Sequence, residues 1–147
     1  MELIIKATEK HLEDILKMAK DLWKDDFSEK EMRNFFKEAL NSDKFNVLLH
    51  FSENIVTGFI FLSLRTDYVE GSNSSPTGYI EGIYVKQDFR KSGIAKKLLI
   101  EGEKWVKQEG CTQLGSDTYI DNRMSIDFHI KSEFKEAGRL VTFIKDI

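Results

Sequence analysis

The run Tyr79-Ile80-Glu81-Gly82-Ile83-Tyr84-Val85, followed after a short polar turn by Arg90-Lys91-Ser92-Gly93-Ile94-Ala95, decides the fold. Residues 79–85 read as a strand buried on both faces. One carboxylate, Glu81, interrupts it, as does Gly82, whose missing side chain permits a bulge or a close backbone approach. The second run has the form R-x-x-G-x-A and opens a long helix predicted over residues 92–109. Ile94, Leu98, Leu99, Trp105 and Val106 form its apolar side, and Gly110 is its stop. A helix N-terminus carries unsatisfied amide donors and a partial positive charge, so a turn of low side-chain bulk there sets several N–H groups around a diphosphate. Gly93 and Ala95 supply the low bulk; Arg90, Lys91, Lys96 and Lys97 add charge. No Gly-Lys-Ser/Thr follows at the required spacing, which excludes a Walker loop.

Working outward, residues 3–6 form a short β-branched strand. Thr8 is positioned to cap a helix in which Leu12, Ile15, Leu16, Ala19, Leu22 and Trp23 recur at helical spacing. Ser28 and Glu31 have the S-x-x-E form of a capping box, and Met32, Phe35, Phe36, Ala39 and Leu40 follow in a second helix ending near Asn41. Residues 45–51 and 55–64 read as a hairpin joined by Ser52-Glu53-Asn54. A turn-rich loop occupies residues 65–78. Beyond the long helix the reading is a strand over 112–117, a helix over 122–132 and a last strand over 139–145. The predicted order, β-α-α-β-β-β-α-β-α-β, describes an α/β (α+β) domain spanning residues 1–147, a mixed central sheet with helices on both faces.

The whole composition fits that reading. With 147 residues, one core buries roughly 68–70% of the surface exposed by the unfolded chain, so no metal or disulfide is needed for stability. The single cysteine, Cys111, agrees, and no Cys/His spacing of a metal site occurs. A net charge of −3 disfavours a generic nucleic-acid binder. The longest apolar stretch, residues 55–64, is broken by Thr57, Gly58 and Ser63 and is too short for a membrane span, so the expected location is the cytoplasm. The charge is also segregated: residues 86–97 carry +4, which leaves −7 for the remainder. That pattern suits an anionic ligand on one element and a cationic one elsewhere.

The strand, the R-x-x-G-x-A turn, the helix, and the strand and helix after it resemble the GNAT superfamily of acetyl-CoA-dependent N-acetyltransferases. A narrower resemblance links Arg65-Thr66-Asp67-Tyr68-Val69-Glu70-Gly71, Ser74-Ser75-Pro76, residues 79–85, Gly110-Cys111 and Ser116-Asp117-Thr118 to the aminoglycoside 6′-N-acetyltransferases. The resemblance implies acetyl-CoA as cosubstrate, with no metal, and direct transfer to the 6′-amine of an aminoglycoside in a ternary complex, conferring resistance. A homodimer is implied too. The pantetheine arm would run along Ile83, Tyr84 and Val85, the diphosphate would rest on the turn from Arg90 through Lys91, Ser92, Gly93, Ile94 and Ala95 to Lys96, and Asn122 would add a contact.

Acetyl transfer from a thioester needs a neutral amine, a stabilised oxyanion and a proton for the departing thiolate. Glu81 and Asp117 fall on adjacent predicted strands of an open α/β sheet, the kind of sheet that binds ligands beyond its strand ends, and either one can hold an ammonium and accept its proton. The resemblance assigns the base role more readily to Asp117. It puts His129 where many relatives carry a tyrosine suited to protonating the thiolate. Trp23, Asp67 and Tyr68 are candidates for an aromatic and acidic wall facing a polycationic sugar. The relatives' C-terminal substrate-binding acid falls at Gly138, with Glu136 close by, and their usual glycine before Phe134 is Glu133, which must avoid a left-handed conformation or accept strain. Two other readings use the same turn: transfer to another amine, such as a polyamine or a protein N-terminus, and a non-catalytic acetyl-CoA sensor. Cys111, with no histidine near it in sequence, gives little support to a covalent thiol route.

Overall fold

A computed structural model describes all residues, 1–147. Its elements are β1 (Glu2–Lys6), α1 (Leu12–Trp23), α2 (Glu29–Leu40), β2 (Phe45–Ser52), β3 (Ile55–Arg65), β4 (Thr77–Val85), α3 (Ile94–Gln108), β5 (Leu114–Gly115) and α4 (Arg123–Lys131). The five strands lie in the order β1-β2-β3-β4-β5; the first three pairings are antiparallel and β4–β5 is parallel. No helix is long and apolar enough to cross a membrane.

Two apolar clusters sandwich the sheet. One joins α1 and α2 to its first face through Ile15, Ala19, Phe36, Phe59 and Phe61. The other joins α3 to the opposite face through Ile60, Leu62, Ile80, Leu98 and Val106. The capping box of α2 forms as its spacing predicts: the Glu31 amide donates to the Ser28 hydroxyl and the Ser28 amide to the Glu31 carboxylate, both at 3.1 Å. Thr8 caps a short 3-10 turn, Glu9–His11, that leads into α1.

Gly82 realises both of its permitted roles. The β3–β4 register jumps from Phe61↔Gly82 to Leu62↔Ile80, so Glu81 is the extra residue of a bulge. A Cβ on Gly82 would lie 2.6 Å from the Trp23 indole, so α1 closes on this strand only because the side chain is missing. The bulge breaks strict alternation, which lets Ile80 and Ile83 share the α3 face although they differ in parity.

Two expectations fail. The strand expected over 112–117 shrinks to Leu114–Gly115, leaving Asp117 just beyond it. The last strand expected over 139–145 does not form, because nothing pairs with it in this chain: Leu140, Val141, Phe143 and Ile144 are at least 77% exposed. The alternating sequence is strand-like, but a strand needs a neighbour.

Candidate active site

β4 pairs with β5 only at Gly78↔Leu114 and Tyr79↔Gly115, so the edge of β4 from Ile80 to Val85 carries no strand on that side. The two strands therefore part toward their C-terminal ends, beside the start of α3. Of the residues expected along a pantetheine arm, Ile83 and Val85 pack toward α3. Tyr84 turns to the other face, where its hydroxyl donates to Asp21 at 2.9 Å.

At the turn, Gly93 has φ +83° and caps α3, and nothing lies within 4 Å of the position its Cβ would take. Gly93 is thus required by conformation, and the space above it is open. The first helical hydrogen bond comes from the Lys97 amide to the Gly93 carbonyl at 3.1 Å, so the amides of Ile94, Ala95 and Lys96 precede the helix's own ladder. Lys91 is also left-handed, at φ 64°, and the Ser92 hydroxyl donates to the Phe89 carbonyl at 2.5 Å. These features fit a diphosphate. The side chains contribute less than expected. Arg90 donates to the Val85 carbonyl at 2.7 Å, and its guanidinium lies 5.4 Å from the centre of the Tyr84 ring. Lys97 is held by both oxygens of Glu2, at 2.9 and 2.7 Å. Lys91 and Lys96 remain exposed. A cavity of about 490 Å³, lined by Asp14, Lys17, Asp21, Tyr84, Lys86 and Arg90 among others, separates this corner from α1.

The carboxylates expected to meet an amine sit in one network. Arg65 Nε donates to Glu81 Oε2 at 3.0 Å and Nη2 to Oε1 at 2.8 Å, while the Ser63 hydroxyl donates to Oε2 at 2.5 Å. The guanidinium lies 3.5 Å above the centre of the Tyr79 ring, and the Tyr79 hydroxyl donates to Asp117 in a short hydrogen bond. Burial works to lower the Arg65 pKa, but the hydrogen bonds and charge of Glu81 outweigh it and the net shift is upward. Burial, the bond to Asp117 and that residue's charge push the Tyr79 phenol far up, so it stays a donor. Asp117 is exposed beyond this bond and has free lone pairs.

His129 reaches Asp117's neighbour. Its Nδ1 lies 2.6 Å from the Ser125 carbonyl, which fixes the proton there, so Nε2 accepts from the Ser116 hydroxyl at 2.7 Å. Ser116 thus stands between His129 and the opening. Asn122 caps α4, accepting from the Ser125 amide at 3.1 Å.

The outer wall is mixed. Trp23 is half-buried against Phe36 and Phe59 and under Gly82, so it supports the strand as a core residue. Asp67 and Tyr68 are exposed, and the Tyr68 hydroxyl donates to Glu70 at 2.5 Å. Glu136 is paired with Arg139 at 2.9 Å. A Cβ on Gly138 would fall 2.9 Å from Glu70 Oε1, so the Glu70 carboxylate occupies the room that an acid at 138 would use. The loop is pinned by Gln113, which accepts from the Ser72 hydroxyl at 3.2 Å and the Asn73 amide at 3.0 Å.

Sequence reasoning missed Arg65, Tyr79, Ser63 and Ser116. Ser63 and Arg65 did leave a trace: two polar residues two apart at the end of an otherwise apolar run mark one face of a strand.

The acetyltransferase (GNAT) family matches residues 12–134. A relative in Acinetobacter haemolyticus, named aminoglycoside N(6′)-acetyltransferase type 1, is 36% identical over 96% of each chain. Another of that name, in Acinetobacter baumannii, is 34% identical over 98% of each. Among solved structures, AAC(6′)-Iy bound to the bisubstrate analog CoA-S-monomethyl-acetylneamine has a TM-score of 0.94 at 30% identity, covering 100% of this chain and 99% of its own. The apo aminoglycoside 6′-N-acetyltransferase AAC(6′)-IG from Acinetobacter haemolyticus gives 0.91 at 35%, covering 99% of each. With the family matched over residues 12–134 and relatives above 30% identity along nearly the whole chain, this protein belongs to the GNAT acetyltransferase family.

Proposed function

We propose that this chain, a single domain, transfers the acetyl group of acetyl-CoA directly to the 6′-amine of an aminoglycoside, an activity that confers resistance to it. The observation that carries the reading is the Glu81–Arg65–Tyr79–Asp117 network beside the opening between β4 and β5, since it sets an exposed carboxylate where an ammonium would enter. The names of the relatives, and the CoA-based analog bound to one of them, support the same substrates.

Acetyl-CoA supplies the thioester. Its diphosphate suits the amides of Ile94 to Lys96 and the low bulk of Gly93 and Ala95, and its arm suits the free edge at Ile83, Tyr84 and Val85, whose backbone groups can serve the oxyanion. Asp117 holds the acceptor ammonium and takes its proton, directly or through a water. Tyr79 fixes the carboxylate, and Glu81 anchors Arg65. Ser116, backed by His129, supplies a hydroxyl that can return a proton to the thiolate. The reaction draws on acetyl-CoA and so belongs in the cytoplasm.

Thiol release from acetyl-CoA, measured with kanamycin, spermine and a peptide panel, tests the reading. Release with kanamycin, with the product mass raised by one acetyl group on the 6′-nitrogen, is expected. Release only with spermine or peptides would shift the acceptor to another amine, and none with any amine would favour an acetyl-CoA sensor.

The working unit is a homodimer. The uncovered tail at Leu140, Val141, Phe143 and Ile144, with β5 as an edge strand, supports it, since so much apolar surface is unusual in a monomer. Light scattering should give twice the chain mass, and Val141→Asp with Phe143→Asp should halve it.

A further inference from the structure

We propose that Arg65 is a positioning residue that divides the work of the two carboxylates, neutralising Glu81 as an anchor and leaving Asp117 as the cluster's one free negative charge for the acceptor amine. The inference rests on the acetyl-transfer reading and deepens it.

Three observations converge. First, the bulge at Glu81 sets this carboxylate on the same face of the sheet as Ser63 and Arg65, across from the α3 core. Second, three of its roughly four lone-pair positions are already filled, two by the parallel prongs of the guanidinium. A carboxylate so engaged is committed to holding Arg65 and Ser63. Third, the same guanidinium stacks on the Tyr79 ring, whose hydroxyl is the partner of Asp117, so a single cation braces both carboxylates. Only a planar fork meets both demands. A lysine would supply the charge without the paired bonds or the stacking.

The charge balance gives this arrangement a chemical consequence. The titratable groups acting on the cluster are Arg65 from β3, Tyr79 and Glu81 from β4, and Asp117 beyond β5. With the phenol neutral they sum to −1, enough to hold one ammonium. Without Arg65 they would sum to −2, and the extra negative charge would favour the ammonium over the neutral amine that must attack. Arg65 thus sets how readily the bound acceptor gives up its proton.

The test is the pH profile of kcat and kcat/KM with kanamycin, together with thermal unfolding of each variant. In Arg65→Gln the limb that rises with pH should move about one unit to higher pH, as expected for one uncompensated charge nearby. Arg65→Lys should bring the limb back toward its original pH while leaving KM raised. In the double variant Arg65→Gln/Glu81→Gln the net charge is −1 again and the limb should return. An unmoved limb in Arg65→Gln overturns the proposal, and so does a limb that stays displaced in the double variant, because a structural defect alone would persist there. Should Arg65→Gln not fold, Arg65→Lys and the double variant carry the same comparison. If the unaltered enzyme turns over no aminoglycoside, the acetyl-transfer reading fails first; if it does and the limb is unmoved, only the role of Arg65 falls.

Discussion

The glycine turn before α3 and the carboxylate cluster formed by β3, β4 and the segment after β5 solve opposite problems with opposite materials. The turn presents backbone: a left-handed Gly93, open space above it, and amides that precede the helical ladder. Its neighbouring cations are partly spent elsewhere, Arg90 on Val85 and Lys97 on Glu2. The cluster presents side chains, drawn from two strands and the segment after β5 and fixed by hydrogen bonds and one cation–ring contact. A site made of backbone tolerates change in side-chain identity but not in conformation. A site made of side chains is sensitive to each functional group. Substitutions at the two places should therefore fail in different ways.

The largest expected effect is at the cluster. Asp117→Asn keeps the shape and removes the proposed base, so kcat with kanamycin should fall by about 10²–10⁴-fold, the usual worth of general base catalysis, with a smaller change in KM for acetyl-CoA. An unchanged kcat in the purified variant would remove Asp117 from the chemistry.

Next comes the turn. Gly93→Val places a β-branched residue at φ +83°, a conformation it adopts only with strain, and fills the space above the amides. Acetyl-CoA affinity, measured by calorimetry, should weaken about tenfold or more while the chain stays folded, since the space around the added Cβ is open. Unchanged affinity would dissociate the turn from the donor.

The same contrast explains what was legible in the chain. The turn could be read because its requirement, small residues between a buried strand and a helix, is local. Glu81 could be flagged because a lone carboxylate in an apolar run stands out. Arg65 could not be paired with it from sequence, because their contact depends on a one-residue slip in the β3–β4 register, and register is a property of two strands together. Asp117 reads as part of a strand over 112–117, but that strand ends at Gly115. The C-terminal segment shows the limit most plainly: residues 139–145 have the alternation of a strand, and the missing partner is not encoded within the segment.

Tyr79→Phe probes the cluster more gently. The ring under Arg65 is kept and only the hydroxyl to Asp117 is lost, so kcat/KM should fall about tenfold, the worth of one hydrogen bond to a charged group. There is a pH consequence as well. Because folding raises the Tyr79 pKa, its contribution to stability is fully present below the unfolded phenol's value of about 10 and is lost as the pH rises above that. Alkaline unfolding should therefore be shallower in Tyr79→Phe than in the parent, by denaturant titration at rising pH. Equal slopes would mean that the phenol is not held neutral by the fold.

The smallest effect asks whether backbone conformation obeys the same rule on the side-chain-built half of the site. α3 and α4 end in the same motif. After α3, Cys111 donates to the Val106 carbonyl at 3.1 Å and Gly110 to Lys107 at 3.0 Å, with Gly110 at φ 88°. After α4, Phe134 donates to His129 at 3.0 Å and Glu133 to Ile130 at 3.1 Å, with Glu133 at φ 71°. The hydrogen bonds match, and only the residue in the left-handed position differs, so the α4 end carries a Cβ penalty that the α3 end avoids. Glu133→Gly should raise stability by about 1 kcal/mol, and Gly110→Ala should lower it by a similar amount. For a chain of this size each change corresponds to a shift of roughly 2–4 °C in Tm, in opposite directions. Because His129 sits one turn before Glu133 and packs its ring against Phe134, a rise in Tm with kcat unchanged would show the strain to be incidental to the site; a fall in kcat would show that it helps hold His129 on Ser116.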